Sequence, residues 1–346
     1  MTDDRWRTGK TLVNGITVAY EDVGEGDNVL VLVHGHPFNR TMWRPQMAWI
    51  RDRNRPRARA GARARLESED GVTNLERPED VNGIEAATRL NLEPEHEQED
   101  EHDKNRAWRA IVPDLRGYGE SSVIPGKTTL DIFASDIAGL LDAFGIQDVV
   151  IGGLSMGGQI VMEFCRLYPD RVRGILLAAT FCRAETEEGR RQRVAMADRL
   201  SQEGMQGYAE EVLPKMVSPA NLIALPRVAD HVRAMMGATS PMGAAAALRG
   251  RAERPDYAET LATLDVPALV VVGNEDAFTT RADAEQMSTL LRGSELVWIK
   301  GVGHMPNLES EGEFNEALGR LLERCAAASS SHAGLGPDFG STGEPA

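Results

Sequence analysis

The chain has 346 residues, room for one large or two ordinary domains and for a sizeable core. Its 38 basic and 53 acidic side chains leave a net charge of −15, which argues against general affinity for nucleic acid or an anionic membrane, since both call for a basic surface. Three cysteines, Cys165, Cys182 and Cys325, with no CxxC spacing, exclude a disulfide framework and a four-thiolate zinc site.

The first residues, MTDDRWRTGK, lack the apolar stretch of a secretory signal, and no apolar run approaches the ~18 residues of a membrane span. The expectation is a cytoplasmic protein of a reducing compartment. TLVNGITVAYED then sets Asn14-Gly15 between two alternating runs, which predicts a hairpin, because a type I′ turn needs positive φ at both central positions. Short β-branched runs follow at Val29–Val33, Arg109–Val112, Val149–Ile151, Val172–Leu177, Ala268–Val272 and Leu296–Ile299. Their continuous apolar character suits strands buried on both faces, as in a parallel sheet. Helical patterns separate them at Met42–Ile50, Leu130–Phe144, Met156–Tyr168, Arg281–Leu291 and Asn307–Glu323. Strand alternating with helix predicts an α/β fold with a doubly wound, mostly parallel sheet that begins with an antiparallel hairpin.

Three stretches break the alternation. Residues 51–106 open with an arginine-rich block, Arg51 to Arg65, and end in EPEHEQEDEHDK; they read as a charged insertion that is largely disordered. The predicted helix before them runs antiparallel to the strands, so the insertion leaves from the edge opposite the one that carries the candidate chemistry. Residues 326–346 are rich in Ala, Ser, Gly and Pro and read as an unfolded tail. Between about 181 and 262 short helices with Pro and Gly breaks replace the pattern, as in a helical cap over one end of the sheet. The part that carries the strand-helix alternation and its cap is therefore 1–50 with 107–325.

The segment VVIGGLSMGGQIVMEF reads strand, then Gly153-Leu154-Ser155-Met156-Gly157, then helix. That is the G-x-S-x-G nucleophile elbow in the strand-turn-helix setting it requires: glycines at 153 and 157 allow the close approach, and the helix aims free N–H groups at whatever forms beside Ser155. Serine needs a base. Of seven histidines, His96, His102 and His332 fall in the insertion or tail, and His231 in the cap region. His34 and His36 share the loop after the third strand. His304, in KGVGHMPNLE just past the last strand, is the first choice, because such a loop reaches over the carboxyl edge where Ser155 stands. The carboxylate that would orient it is Asp276, in GNEDAFTT, with Glu275 as nearest competitor. The backbone N–H groups of His36 and Met156 are the candidate oxyanion donors, with Gly35 permitting close approach, and Pro37 is a candidate to follow a cis peptide. His34 reads as support for its loop. The cap methionines Met196, Met205, Met216, Met235, Met236 and Met242 read as packing or an adaptable pocket lining, Trp43 as an anchor for its helix, and Arg249, Arg251 and Arg254 as a solvated face or a grip for a substrate carboxylate.

With HGHPFNRTMW, PDLRGYGESS, GLSMGG, GNEDAFTT and GVGHMPNLE, the chain resembles the α/β-hydrolase superfamily over residues 6–50 and 107–324. Within it, the resemblance is to the group of 3-oxoadipate enol-lactonases, small carboxylesterases and cofactor-free haloperoxidases. It implies a Ser155, Asp276, His304 triad acting on a small-molecule ester or lactone through an acyl enzyme, with no metal or organic cofactor. The alternatives are carbon-carbon bond hydrolysis or perhydrolysis on the same triad, or a ligand receptor of this fold with slow or no turnover. The substrate and the oligomeric state stay open.

Overall fold

The structure is a computed structural model that describes residues 6–54 and 107–333, with side chains as far as 328. The called insertion lies almost wholly outside these residues, as does the end of the called tail.

Eight strands form one sheet in the order β1-β2-β4-β3-β5-β6-β7-β8. β1 (Trp6–Val13) and β2 (Ile16–Val23) are the antiparallel hairpin, turned by Asn14 at φ 47° and Gly15 at φ 76°. β2 also pairs antiparallel with β4 (Trp108–Pro113). The rest run parallel: β3 (Asn28–Val33), β5 (Val149–Leu154), β6 (Val172–Ala178), β7 (Ala268–Gly273) and β8 (Glu295–Ile299).

The apolar runs explain the layers. Along β3, Val29, Val31 and Val33 enter one core with Phe133, Ile137, Ile160, Phe164 and Met287 from the helices Leu130–Ala143, Met156–Leu167 and Arg281–Leu290. Leu30 and Leu32 enter the other, against Met47, Ile50, Leu318 and Leu321 from the helices Arg44–Arg53 and Glu311–Ala333. Successive side chains point to opposite faces, so a strand covered on both sides carries no polar alternation. Each fully buried Leu or Val contributes roughly 1.5–3 kcal/mol. β8 is the edge strand, and only its last residue, Ile299, is fully buried.

Element boundaries differ from the sequence reading in three places. The helix expected at Met42–Ile50 is a 3-10 turn, Arg40–Trp43, followed by an α-helix from Arg44, because Pro45 lacks an N–H and suits the first turn of a helix. The helix expected at Asn307–Glu323 is split into Pro306–Glu309 and Glu311–Ala333 by Ser310 at φ −142°. That second helix continues through Ala333, so the start of the segment called an unfolded tail is helical, with Cys325 buried on its inner face.

Between β6 and β7 stand six helices, Glu187–Glu203, Gln206–Met216, Pro219–Ala224, Pro226–Ala238, Pro241–Arg251 and Ala258–Thr263. Two of them begin at Ser-Pro pairs, where Ser218 and Ser240 accept a hydrogen bond from the third residue on and the proline takes the first helical position. The helices Glu187–Glu203 and Pro241–Arg251 pack through Ala197, Leu200, Ala244, Ala245 and Leu248. Met205, Met216, Met235 and Met236 are buried in packing, whereas Met242 is 42 % exposed. Trp43 is wholly buried with its ring 6.0 Å from Phe314, anchoring its turn as read from the sequence. Among the described residues no helix is long and apolar enough to cross a membrane.

Asn54 and Trp108, on either side of the segment 55–106, are joined by two hydrogen bonds: Asn54 Nδ2 donates to the Trp108 carbonyl at 2.6 Å and Trp108 N–H to Asn54 Oδ1 at 3.1 Å. Trp108 begins β4, so the chain leaves and re-enters at the amino-terminal edge of the sheet, opposite the carboxyl ends of the strands.

Candidate active site

β3 and β5 are neighbours in register, Val33 opposite Gly153, so the loop His34–Phe38 and the turn after Leu154 lie side by side at the carboxyl edge. The strand order reverses around β3, whose partners β4 and β5 go to opposite sides, and such a switch point is where an open α/β sheet forms its ligand crevice.

Ser155 sits at φ 57°, ψ −114°, a left-handed conformation that costs a non-glycine residue about 1–3 kcal/mol. The turn is held there by its neighbours. Ser155 N–H donates to the Ala178 carbonyl at the end of β6, and Gln159 N–H returns to the Ser155 carbonyl in the first turn of the following helix. A Cβ at 153 would stand 2.3 Å from the Gly157 main chain, and one at 157 would stand 2.2 Å from the Val33 carbonyl. Both glycines are therefore required by close backbone approach.

The edge is knit across from β6 to β8. Ala179 N–H bonds to the Val271 carbonyl, Asn274 N–H to Ile299 and Glu275 N–H to Val302. That leaves Glu275 exposed and turns Asp276 inward, with a fully buried carboxylate. Both Asp276 oxygens lie 2.9 Å from His304 Nδ1, and Oδ1 also accepts from the N–H groups of Phe278 at 2.8 Å and Thr279 at 3.2 Å. Burial alone would raise the Asp276 pKa, but the facing His304 and the two N–H donors hold it below the ordinary carboxylate value. With Nδ1 on the carboxylate, Nε2 is the nitrogen left to exchange a proton with substrate. The Phe278 ring lies edge-on to His304, centroids 4.7 Å apart. Among the described residues neither the Ser155 hydroxyl nor His304 Nε2 has a hydrogen-bond partner. Asp276 and His304 are thus in direct contact, and Ser155 stands at the same edge without a bond to either.

His34 and His36 are both buried and differ in what they do. His34 Nε2 accepts from Leu115 N–H at 2.9 Å, so the proton is on Nδ1, which donates to the Gly35 carbonyl at 2.8 Å. This neutral ring ties the loop after β3 to the loop after β4, and burial lowers its pKa. His36 Nδ1 lies 2.7 Å from the Tyr118 hydroxyl, and its Nε2 is buried without a partner among the described residues. Burial, then Arg251 and Arg193, push the His36 pKa well below the ordinary value. The His36–Pro37 peptide is cis. The main-chain N–H groups of His36 and Met156 have no acceptor among the described residues, which leaves both available as donors. The same loop is pinned by buried Arg40, whose guanidinium reaches Asp114, Glu120 at 2.5 Å and Glu21 at 3.4 Å. His231 is half-buried, its Nε2 3.3 Å from the Thr41 carbonyl.

Two features escape a reading of the motifs. Glu309, buried, accepts from Gly303 N–H at 3.0 Å and Met305 N–H at 3.2 Å, on either side of His304, and from Ser218 N–H and Asn221 Nδ2 of the cap, both at 2.9 Å. His304 N–H itself donates to the cap carbonyl of Met216 at 3.0 Å, so the cap helps fix the histidine loop. The only sequence signal for Glu309 is its place in GVGHMPNLE. Second, the three cap arginines separate. Arg249 is paired with Asp198 at 2.7 Å, Arg254 with Glu185 at 3.3 Å, and Arg251 is buried with no carboxylate partner among the described residues.

Comparison with known proteins gives the family and the fold. Residues 30–317 match the family model described as alpha/beta hydrolase family. The chain is 25% identical over 214 residues to 3-oxoadipate enol-lactonase 2 of Acinetobacter baylyi, covering 62% of this chain and 78% of that enzyme. It is 27% identical over 232 residues to pimeloyl-[acyl-carrier protein] methyl ester esterase of Neisseria meningitidis, covering 62% and 72%. A thermophilic esterase from Thermogutta terrifontis, solved with malate bound, superposes with a TM-score of 0.74 at 31% identity over 92% of this chain and 99% of its own.

Proposed function

The chain belongs to the alpha/beta hydrolase family, and on that premise we propose that it is a serine hydrolase that cleaves a small carboxylic ester or lactone through an acyl enzyme. The observation that carries the reading is the conjunction at one sheet edge of a serine on a positive-φ turn with a buried carboxylate in contact with His304 Nδ1. Ser155 attacks the carbonyl carbon while His304 Nε2 takes its proton. The negative charge that develops on the carbonyl oxygen is met by the N–H groups of His36 and Met156, the latter at the amino end of a helix. Asp276, held ionised, fixes the tautomer of His304 and stabilises the imidazolium. Collapse of the resulting tetrahedral intermediate breaks the scissile C–O bond, and His304 Nε2 gives the proton to the departing alcohol or enol oxygen, leaving the acyl group on Ser155. Water, deprotonated by the same nitrogen, then releases the acid and restores the serine. The esterase and lactonase relatives support a carbonyl substrate of this kind.

Ser155→Ala assayed on a short-chain p-nitrophenyl ester and on a lactone tests the reading. The expected outcome is a loss of kcat by about 10⁴-fold or more with the fold intact. Retained turnover would overturn it.

A further inference from the structure

We infer that Arg251 forms a carboxylate-binding subsite beside the nucleophile, so that the substrate is an ester or lactone carrying a free carboxylate in addition to its scissile carbonyl; this rests on the acyl-transfer reading above. Arg251 ends the cap helix Pro241–Arg251 and is only 7 % exposed. Its one hydrogen bond among the described residues runs from Nε to Gln159 Oε1, 3.1 Å away. Gln159 is wholly buried in the first turn of the helix that begins at the nucleophile, its N–H bonded to the Ser155 carbonyl. The guanidinium therefore stands over the start of that helix, and its two terminal nitrogens have no acceptor among the described residues.

An arginine stays protonated inside a protein, and a buried charge without a counterion is strongly unfavourable, so such groups are paired or serve a ligand. The surroundings make the deficit larger. The carboxylate whose charge acts on Arg251, Glu185, is already engaged by both Arg193 and Arg254. Burial, followed by Arg193 and Arg254, pushes the Arg251 pKa well down from its ordinary value, and Arg251 in turn lowers that of His36. A nearby donor is also unsatisfied: Gln159 Nε2 is buried without a partner among the described residues. A layer with an unsatisfied amide donor, two free guanidinium nitrogens and surplus positive charge is complementary to a group that only accepts. A carboxylate does so, and a planar guanidinium can hold it with two parallel bonds. Arg249 and Arg254, by contrast, already have their acid partners.

The test compares mono-p-nitrophenyl glutarate with p-nitrophenyl valerate, which have similar acyl length and differ in the terminal carboxylate. The ratio of their kcat/KM values should favour the glutarate half-ester by about tenfold or more in the wild type, the size expected of a hydrogen-bonded charge pair. In Arg251→Met it should collapse toward one, chiefly through a higher KM for the half-ester, and Arg251→Lys should recover part of it. A wild-type enzyme without the preference, or an Arg251→Met variant that keeps it, would overturn the subsite and leave the acyl-transfer reading intact. Calorimetry of glutarate on Ser155→Ala separates the two claims without turnover. Binding that disappears in the Ser155→Ala, Arg251→Met double variant upholds the subsite even if no ester is hydrolysed, an outcome that would overturn only the acyl-transfer reading. No glutarate binding to a folded Ser155→Ala protein, shown by its thermal transition, overturns the subsite.

Discussion

Replacing Glu309 by Gln should damage the position of His304 without touching any reacting atom. The carboxylate accepts from Gly303 and Met305 through Oε1 at 3.0 and 3.2 Å, and from Ser218 and Asn221 through Oε2, both at 2.9 Å. An amide keeps one oxygen and puts an NH₂ in place of the other. Set on the Oε2 side, it faces Ser218, Asn221 and the shared Gly303 N–H, which also reaches Oε2 at 3.1 Å; set on the Oε1 side, it opposes the N–H groups that bracket His304. Either way one pair of bonds to a charged acceptor is lost. Ser218 is buried, so its N–H has little water to turn to, whereas Asn221 is partly exposed and can reorient. A buried donor left unsatisfied costs about 1–3 kcal/mol, and the remaining bonds weaken with the loss of charge, which gives about 2–4 kcal/mol in all. For a domain of this size that lowers Tm by about 5–15 °C. A displacement of His304 of the order of 1 Å should lower kcat about 100-fold with a smaller change in KM. Differential scanning fluorimetry and steady-state kinetics on a p-nitrophenyl ester give both numbers. A Glu309→Gln protein with Tm within a degree and kcat within twofold of the wild type would refute the idea that this carboxylate positions the histidine.

Asp276→Asn should preserve the fold and lower kcat by about 10³ to 10⁴-fold, because an amide cannot accept from Nδ1–H and from the Phe278 and Thr279 N–H groups at once; a loss below tenfold in steady-state assays would contradict the role given to Asp276. Stability should fall as pH drops below about 6.5. His34 and His36 have depressed pKa values in the folded state, so the unfolded chain binds more protons there, and each group contributes a slope of up to about 1.4 kcal/mol per pH unit. Urea titrations between pH 5 and 7.5 should show that slope reduced in His36→Gln, and an unchanged slope would count against burial as its cause. Deleting residues 55–106 behind a short Gly-Ser bridge should leave kcat/KM within about threefold, since Asn54 and Trp108 already meet at the edge opposite Ser155 and loop closure depends only weakly on length. Loss of activity in a deletion protein that keeps its Tm would assign the segment a functional part.

The elements that sequence made legible are those whose cause is local. Asn14-Gly15 demanded positive φ, and the strand-glycine-serine-glycine-helix order demanded a turn in which Gly153 and Gly157 touch neighbouring backbone. Asp276 and His304 were found by their place after apolar strands, and the choice of Asp276 over Glu275 depended on a turn whose N–H groups at Phe278 and Thr279 draw the aspartate inward. What stayed hidden was set by contacts distant in the chain. Glu309 meets Ser218 across the cap boundary, and its importance is invisible without that contact. Arg249, Arg251 and Arg254 look alike in sequence, and the positions of Asp198 and Glu185 leave Arg251 without an acid partner among the described residues. Helix boundaries failed where a single residue, Pro45 or Ser310, overrode a continuous apolar pattern.

Intact-mass spectrometry and peptide mapping after reaction with a fluorophosphonate test the acyl-transfer chemistry most directly, because the reagent reports the activated serine whatever the natural substrate is. One adduct per chain on Ser155, abolished in Ser155→Ala and strongly slowed in His304→Ala, is the expected result. An unlabelled Ser155 in a protein that still turns over esters, or an adduct on another residue that accounts for the loss of activity, would contradict it.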